Sequence, residues 1–118
     1  MKENIIFDKS YAFALRIVKA YLFLSKEKQE YVLSKQLLRS GTAIGALVSE
    51  SRFAQSRADF INKLYIALKE ANETKYWIML LHDSDFITPP MYDSIFSEIE
   101  EIISILSSIV KTTKGVKN

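Results

Sequence analysis

The chain has no cysteine, two prolines, three glycines and a single histidine among its 118 residues. Without cysteine it holds neither disulfides nor thiolate metal sites, and it suits a reducing cytoplasm. The scarcity of proline and glycine, with no run of alternating apolar and polar residues, removes the turn density of a β-fold. No stretch reaches the roughly eighteen apolar residues of a membrane span. The apolar run from Tyr11 to Leu24 is interrupted by Arg16 and Lys19 and lacks a small-residue cleavage site, so it is a poor signal peptide. A chain of this length forms one domain and buries about two-thirds of its unfolded surface without staples. What remains is helical periodicity.

Residues 32 to 53 repeat apolar or small side chains at Leu33, Leu37, Ser40, Ile44, Leu47 and Ser51, the spacing of one helix face. The middle of this helix is small: Ser40, Gly41, Ala43, Gly45, Ala46. Each glycine weakens an isolated helix by about 1 kcal/mol relative to alanine, so the run implies close approach of another backbone. Gly41 and Gly45 have the G-x-x-x-G spacing of membrane dimers, but Lys35, Arg39, Glu50 and Arg52 make the helix too polar for lipid. After a break at residues 54 to 57, Ser56 and Asp59 form a capping box that starts the next helix at Arg57. That helix runs to about His82. Lys63, Glu70 and Thr74 fall inside its apolar arc, where charges need partners. A turn centred near residue 56 places Arg39 beside Glu73, with Glu70 one turn away, and Glu50 beside Lys63. We therefore expect a close interhelical seam with an ion pair at each end.

Glu50, Glu70 and Glu73 also invite a carboxylate metal centre. Di-iron bundles add two Glu-x-x-His motifs to such glutamates, and this chain has only His82 and no Glu-x-x-His. Structural pairing is the better reading, with no metal, no cofactor and no catalytic constellation expected. His82 is read as a helix-end residue.

Residues 1 to 8 read as an extended lead-in, with Ile5, Ile6 and Phe7 as an apolar clip and Asp8 or Ser10 as the cap of a first helix over about 9–26. The other helices are expected at about 30–54, 57–82 and 89–112, the last opened by Thr88-Pro89-Pro90, with a lysine-rich tail fraying from Lys111. Four helices with short connections predict an all-α, antiparallel up-down-up-down four-helix bundle. The apolar arcs of the first and fourth helices span roughly 200° and 180°, more than one core uses. A homo-oligomer follows, with Ile17, Tyr21, Ile102 and Ile105 as expected interface residues.

Residues 1 to 82 carry thirteen Lys or Arg against eight acids, whereas residues 83 to 110 carry six acids and no base, so one side should be basic and the last helix acidic. On the first helix Lys9, Arg16, Lys19 and Lys26 share an arc with Ala12 and Phe23. Such a face suits RNA or DNA, cations on phosphates and a ring under a base, although a plain solvated face has the same composition. An oligomeric scaffold for a protein partner is the alternative.

Three segments carry a family resemblance: Ser34-Lys35-Gln36-Leu37-Leu38-Arg39-Ser40-Gly41-Thr42-Ala43-Ile44-Gly45-Ala46, then Asp59-Phe60-Ile61-Asn62-Lys63-Leu64, then Ala67-Leu68-Lys69-Glu70-Ala71-Asn72-Glu73-Thr74-Lys75-Tyr76-Trp77. They resemble the bacterial four-helix-bundle proteins encoded in 23S ribosomal RNA intervening sequences. Leu47-Val48 departs mildly from the usual Asn-Ile. The resemblance implies a homopentameric ring with a role tied to nucleic acid. The accessory variability protein of diversity-generating retroelements looks like a relative, and it binds nucleic acid through a basic surface beside a reverse transcriptase.

Overall fold

The computed structural model describes residues 2–115, with side chains from residue 4 to 113. Its elements are α1 (Lys2–Lys26), α2 (Leu33–Ser51), α3 (Arg57–Asp83) and α4 (Pro89–Gly115). Each helix packs on its neighbours in sequence and α4 closes against α1, giving an up-down-up-down bundle of 48 × 22 × 20 Å. The α1–α4 seam is the thinnest of the four.

One heptad-like seam per helix builds the core. The buried residues are Ile6, Ser10, Phe13, Ile17 and Leu24 on α1, and Ser34, Leu37, Ser40, Ile44, Val48 and Ser51 on α2. On α3 they are Leu64, Ala67, Ala71, Thr74, Ile78 and Leu81, and on α4 Ile95, Ile99, Ile102, Leu106 and Ile109. Steps of three and four keep the same stripe facing inward along each helix.

The chain's start is a correction. Residues 2 to 8 are the first turns of α1, not an extended lead-in, and neither Asp8 nor Ser10 caps a helix. Ile6 continues the Phe13 and Ile17 seam towards the N-terminus and is 1% exposed, so its burial holds those turns helical. Ser10, fully buried, returns its hydroxyl proton to the Phe7 carbonyl at 3.1 Å. At the other end the tail expected to fray from Lys111 is also corrected: α4 stays helical through Gly115, and the remainder of that tail, residues 116–118, lies outside the described residues.

α2 begins three residues later than expected because Glu30 stands before it. The Glu30 carboxylate accepts the amides of Val32, Leu33 and Ser34 at 3.2, 3.0 and 2.7 Å, and its own carbonyl accepts the Ser34 hydroxyl at 2.6 Å. A negative group on the exposed N–H groups of a first turn satisfies donors the helix cannot and complements its dipole. Gln29, at φ 54°, supplies the left-handed step that brings Glu30 back over the helix. Glu30→Ala should cost about 1–2 kcal/mol, read as a lower urea midpoint with unchanged m-value.

The Ser56 cap forms as its spacing predicts, its hydroxyl accepting from the Asp59 amide at 3.0 Å, while the Asp59 carboxylate reaches one residue past the cap and accepts from Gln55 N–H at 3.2 Å. The small residues of α2 meet α1. Gly45 lies where a Cβ would stand 3.3 Å from the Ser10 carbonyl oxygen, and Gly41 sits directly under Ile17. The backbone approach implied by the G-x-x-x-G spacing is thus within the chain.

Candidate interaction surfaces

The α2–α3 seam gathers the charged residues picked out from the hairpin. Arg39 Nη1 is 3.2 Å from Glu70 Oε1, and Arg39 Nη2 donates to Glu73 Oε2. Trp77 Nε1 donates to the same Glu73 oxygen at 3.0 Å, so the carboxylate is held from two sides. At the far end Lys63 Nζ lies 3.8 Å from Glu50 and 3.9 Å from Asp59. Next to the Arg39 cluster, buried, Thr74 Oγ1 donates to Ser40 Oγ at 2.9 Å, and Ser40 in turn donates to the Gln36 carbonyl at 3.0 Å. All these groups are used by one another. Among the described residues no group of three or more His, Cys, Asp or Glu is placed to hold a metal ion.

The four cations assigned to the first helix divide into two kinds. Lys9 Nζ is 3.1 Å from Glu101 Oε2 and Arg16 pairs with Glu98, both across the α1–α4 seam. Lys19 and Lys26 form no ion pair among the described residues. Half of the stripe is therefore turned to closing the bundle, with Lys75 and Glu100 at 2.6 Å doing the same between α3 and α4. The acidity of α4 is what recruits them. The signal was present in the charge asymmetry, but pairing helices far apart in sequence needs the closure of the bundle to become visible.

The expected oligomer residues need correction. Ile17 and Ile102 are 0% and 2% exposed inside a single chain, while Tyr21 and Ile105 are half-buried. The register set by Ile6, Phe13 and Leu24 turns Ile17 inward, and that set by Ile99 and Leu106 does the same for Ile102. On α4 the flanking Phe96, Ile103 and Ile105 pack against the core, so its wide arc is absorbed by the fold. On α1 the surplus is real but lies elsewhere: Ile5, Tyr11, Leu15, Val18 and Leu22 are 40 to 59% exposed along one outer stripe.

Between α1 and the start of α4 is a cavity of about 500 Å³, walled by Phe23, Leu24, Leu37, Ile78, Leu81 and Ile95, with Arg16 and Lys19 also in its lining. It holds no nucleophile with a base beside it. His82, in the last turn of α3, stacks on Tyr92 with ring centroids 4.0 Å apart, and its Nδ1 is 3.1 Å from Asp83.

With the geometry in place, comparison with known proteins decides the family. The model of the 23S rRNA-intervening sequence protein family matches residues 2–108. The chain belongs to that family. A solved structure of a protein of unknown function from the S23 ribosomal protein family of Bacteroides thetaiotaomicron is 58% identical, covers 95% of this chain and 100% of its own, and superposes with a TM-score of 0.93. No curated protein matches. Nothing in the family match, the solved relative or the described site geometry points to an enzymatic activity. Among the described residues no helix is long and apolar enough to cross a membrane.

Proposed function

We propose that the protein is a non-enzymatic bundle of the cytoplasm that self-associates through the outer face of α1, in the ring of five its family resemblance suggests, and that the assembly holds RNA or DNA on a basic surface. One observation carries the self-association: the α1 stripe of Tyr11, Leu15, Val18 and Leu22, with Ile5 before it, stays exposed after the core is complete. A bundle whose four seams are already filled gains nothing from such a stripe unless another surface covers it. Self-association repeats each cation of the protomer around the assembly, so a modest formal charge of +2 per chain becomes a multivalent surface. Lys19 and Lys26, which no carboxylate engages among the described residues, support the nucleic-acid limb, as does the resemblance to the accessory variability proteins of retroelements.

Sedimentation velocity at micromolar concentration should give a species several times the 13.6 kDa chain; a monomer there would sink the self-association. Fluorescence anisotropy with labelled RNA and DNA should show affinity falling steeply as salt rises, because phosphate contacts release counterions. Binding indifferent to salt counts against the electrostatic surface. A scaffold for a protein partner is the second reading, favoured by the outer face of α3, where Tyr65, Tyr76 and Met79 are exposed. Tyrosine and methionine are enriched at protein interfaces, and this reading expects a retained protein in pull-downs and no nucleic-acid binding.

A further inference from the structure

Two arginines at the α2–α3 turn are held without a carboxylate among the described residues. Arg52, the C-cap of α2, lies over the Phe7 ring with its guanidinium carbon 4.4 Å from the centroid. Arg57, the first residue of α3, donates from Nη2 to the Thr113 carbonyl at 3.2 Å. Neither forms an ion pair among the described residues. A ring face and a carbonyl position a guanidinium without cancelling its full charge, whereas Lys9, Arg16, Arg39 and Lys75 all end on carboxylates. Each arginine also keeps N–H donors to spare in a planar fork suited to phosphate oxygens.

Between the two arginines stands Phe53, 82% exposed, the most exposed of the large apolar residues described. It is not on a loose loop. Its amide donates to the Glu50 carbonyl at 3.0 Å, and the next amide, of Ala54, to the Ser51 carbonyl at 3.2 Å. An aromatic ring is thus presented to solvent from a pinned turn, with an arginine one residue before it in the chain and another four residues after. The nearby acids do not oppose it: Glu50 and Asp59 both face Lys63. The Arg57 contact with Thr113 shows that the end of α4, with Lys111, reaches the same end of the bundle.

We propose that this end binds single-stranded nucleic acid, with Arg52 and Arg57 on successive backbone phosphates and Phe53 stacked on one unpaired base. The inference rests on the nucleic-acid limb of the proposed function and adds to the cations of α1 a single-strand contact at the α2–α3 turn. A protruding phenyl ring has no use for a duplex, whose base faces are already stacked. On a single strand it takes any base, since all have a π-face.

The test uses the full chain and fluorescein-labelled oligouridylate and oligoadenylate of about twelve nucleotides, within the site size of a small binding domain, beside a duplex of equal length. Phe53→Ala should weaken single-strand binding by roughly tenfold or more and Phe53→Tyr should restore it, because stacking on one base has that worth. Duplex binding should hardly change. The pair Arg52→Gln with Arg57→Gln should flatten the salt dependence by about 1.4 in log–log slope, two phosphate contacts' share on a single strand. Lys19→Gln with Lys26→Gln should weaken single-strand and duplex binding by similar factors, as loss of phosphate contacts does, whereas Lys69→Gln, an exposed cation on α3, should leave the single-strand affinity within about twofold. Phe53 is nearly free of packing, so its variants keep the fold, which circular dichroism verifies. If the wild type shows no salt-sensitive binding at all, the nucleic-acid role fails and this site with it. If binding survives the Phe53 and arginine changes but is lost in the Lys19 and Lys26 variant, the role stands and this site is overturned. A drop in sedimenting mass on Phe53→Ala would make the ring a contact between copies, which also overturns it.

Discussion

Gly41→Val should destabilise the fold by about 3 kcal/mol or more, which for a domain of this size lowers the melting temperature by on the order of 10 °C. A Cβ built at Gly41 would stand 2.8 Å from Ile17 Cγ1, 3.0 Å from Cγ2 and 3.2 Å from Cδ1. Two of those atoms are bonded to the β-carbon of a β-branched side chain that a helix confines to essentially one rotamer, so they cannot swing aside. Ile17 is fully buried as well. Relief must come from α1 moving off α2, which loosens Gly45 against Ser10 one turn further along. Alanine at Gly41 is the instructive intermediate. It gains up to about 1 kcal/mol of helix propensity and loses about 1–3 kcal/mol to overpacking, so a modest net loss is expected. Trimming the opposing side chain should recover part of that: Gly41→Ala combined with Ile17→Ala, which removes all three facing atoms, should be less destabilised than the sum of the singles. Urea unfolding of the four members of this cycle measures it, and strict additivity would show that the close approach carries no strain.

Leu15→Glu should dissociate the assembly while leaving the helical content unchanged. Leu15 lies in the middle of the α1 stripe and is half-exposed in the chain, so a carboxylate there is well solvated in the free protomer. In an assembly that covers the stripe it becomes a buried charge facing apolar side chains, which costs several kcal/mol without a partner. Sedimentation of the variant at the 13.6 kDa chain mass, with wild-type far-ultraviolet dichroism, is the expected result. Tyr76→Ala, on the outer face of α3, serves as the control and should leave the mass unchanged. Dissociation by the α3 change and not by the α1 change would relocate the interface to the other side of the bundle.

Particular residues show how far the chain alone could be read. The capping box at Ser56 and Asp59, the break near residue 56 and the proline start of α4 are local, each set by residues a few positions apart, and the helices begin where those signals put them. Arg39, Glu70, Glu73, Glu50 and Lys63 were placed side by side because a short turn between two helices leaves one antiparallel register. Glu30 is not legible as a cap, because an acid in a polar linker looks like any solvated charge until the chain reverses over the helix. The helical state of residues 2 to 8 is hidden for a related reason: Ile5, Ile6 and Phe7 are contiguous, and without the α1 register nothing shows that Ile6 alone continues the seam. The surface residues fared differently. Ile17 and Ile102 were assigned outward from arcs too broad to say which edge faces the core, and Lys9 and Arg16 were assigned to a ligand before Glu101 and Glu98 came within reach.

The chain by itself determined four amphipathic helices, their order, their antiparallel course and the charges that meet across the central hairpin, because heptad spacing, caps and short loops act over a few residues. Tertiary structure alone decided which edge of each apolar arc is covered, that the small residues of α2 lie against α1, and which cations keep their charge for something else. Those outcomes depend on closing α4 onto α1: one rotation of the first helix, set by packing Ile6, Phe13, Ile17 and Leu24 together, buries Ile17, which was expected outside, brings Lys9 and Arg16 to carboxylates some eighty to ninety positions away, and leaves Tyr11, Leu15, Val18 and Leu22 facing water, while the register of α4 buries Ile102.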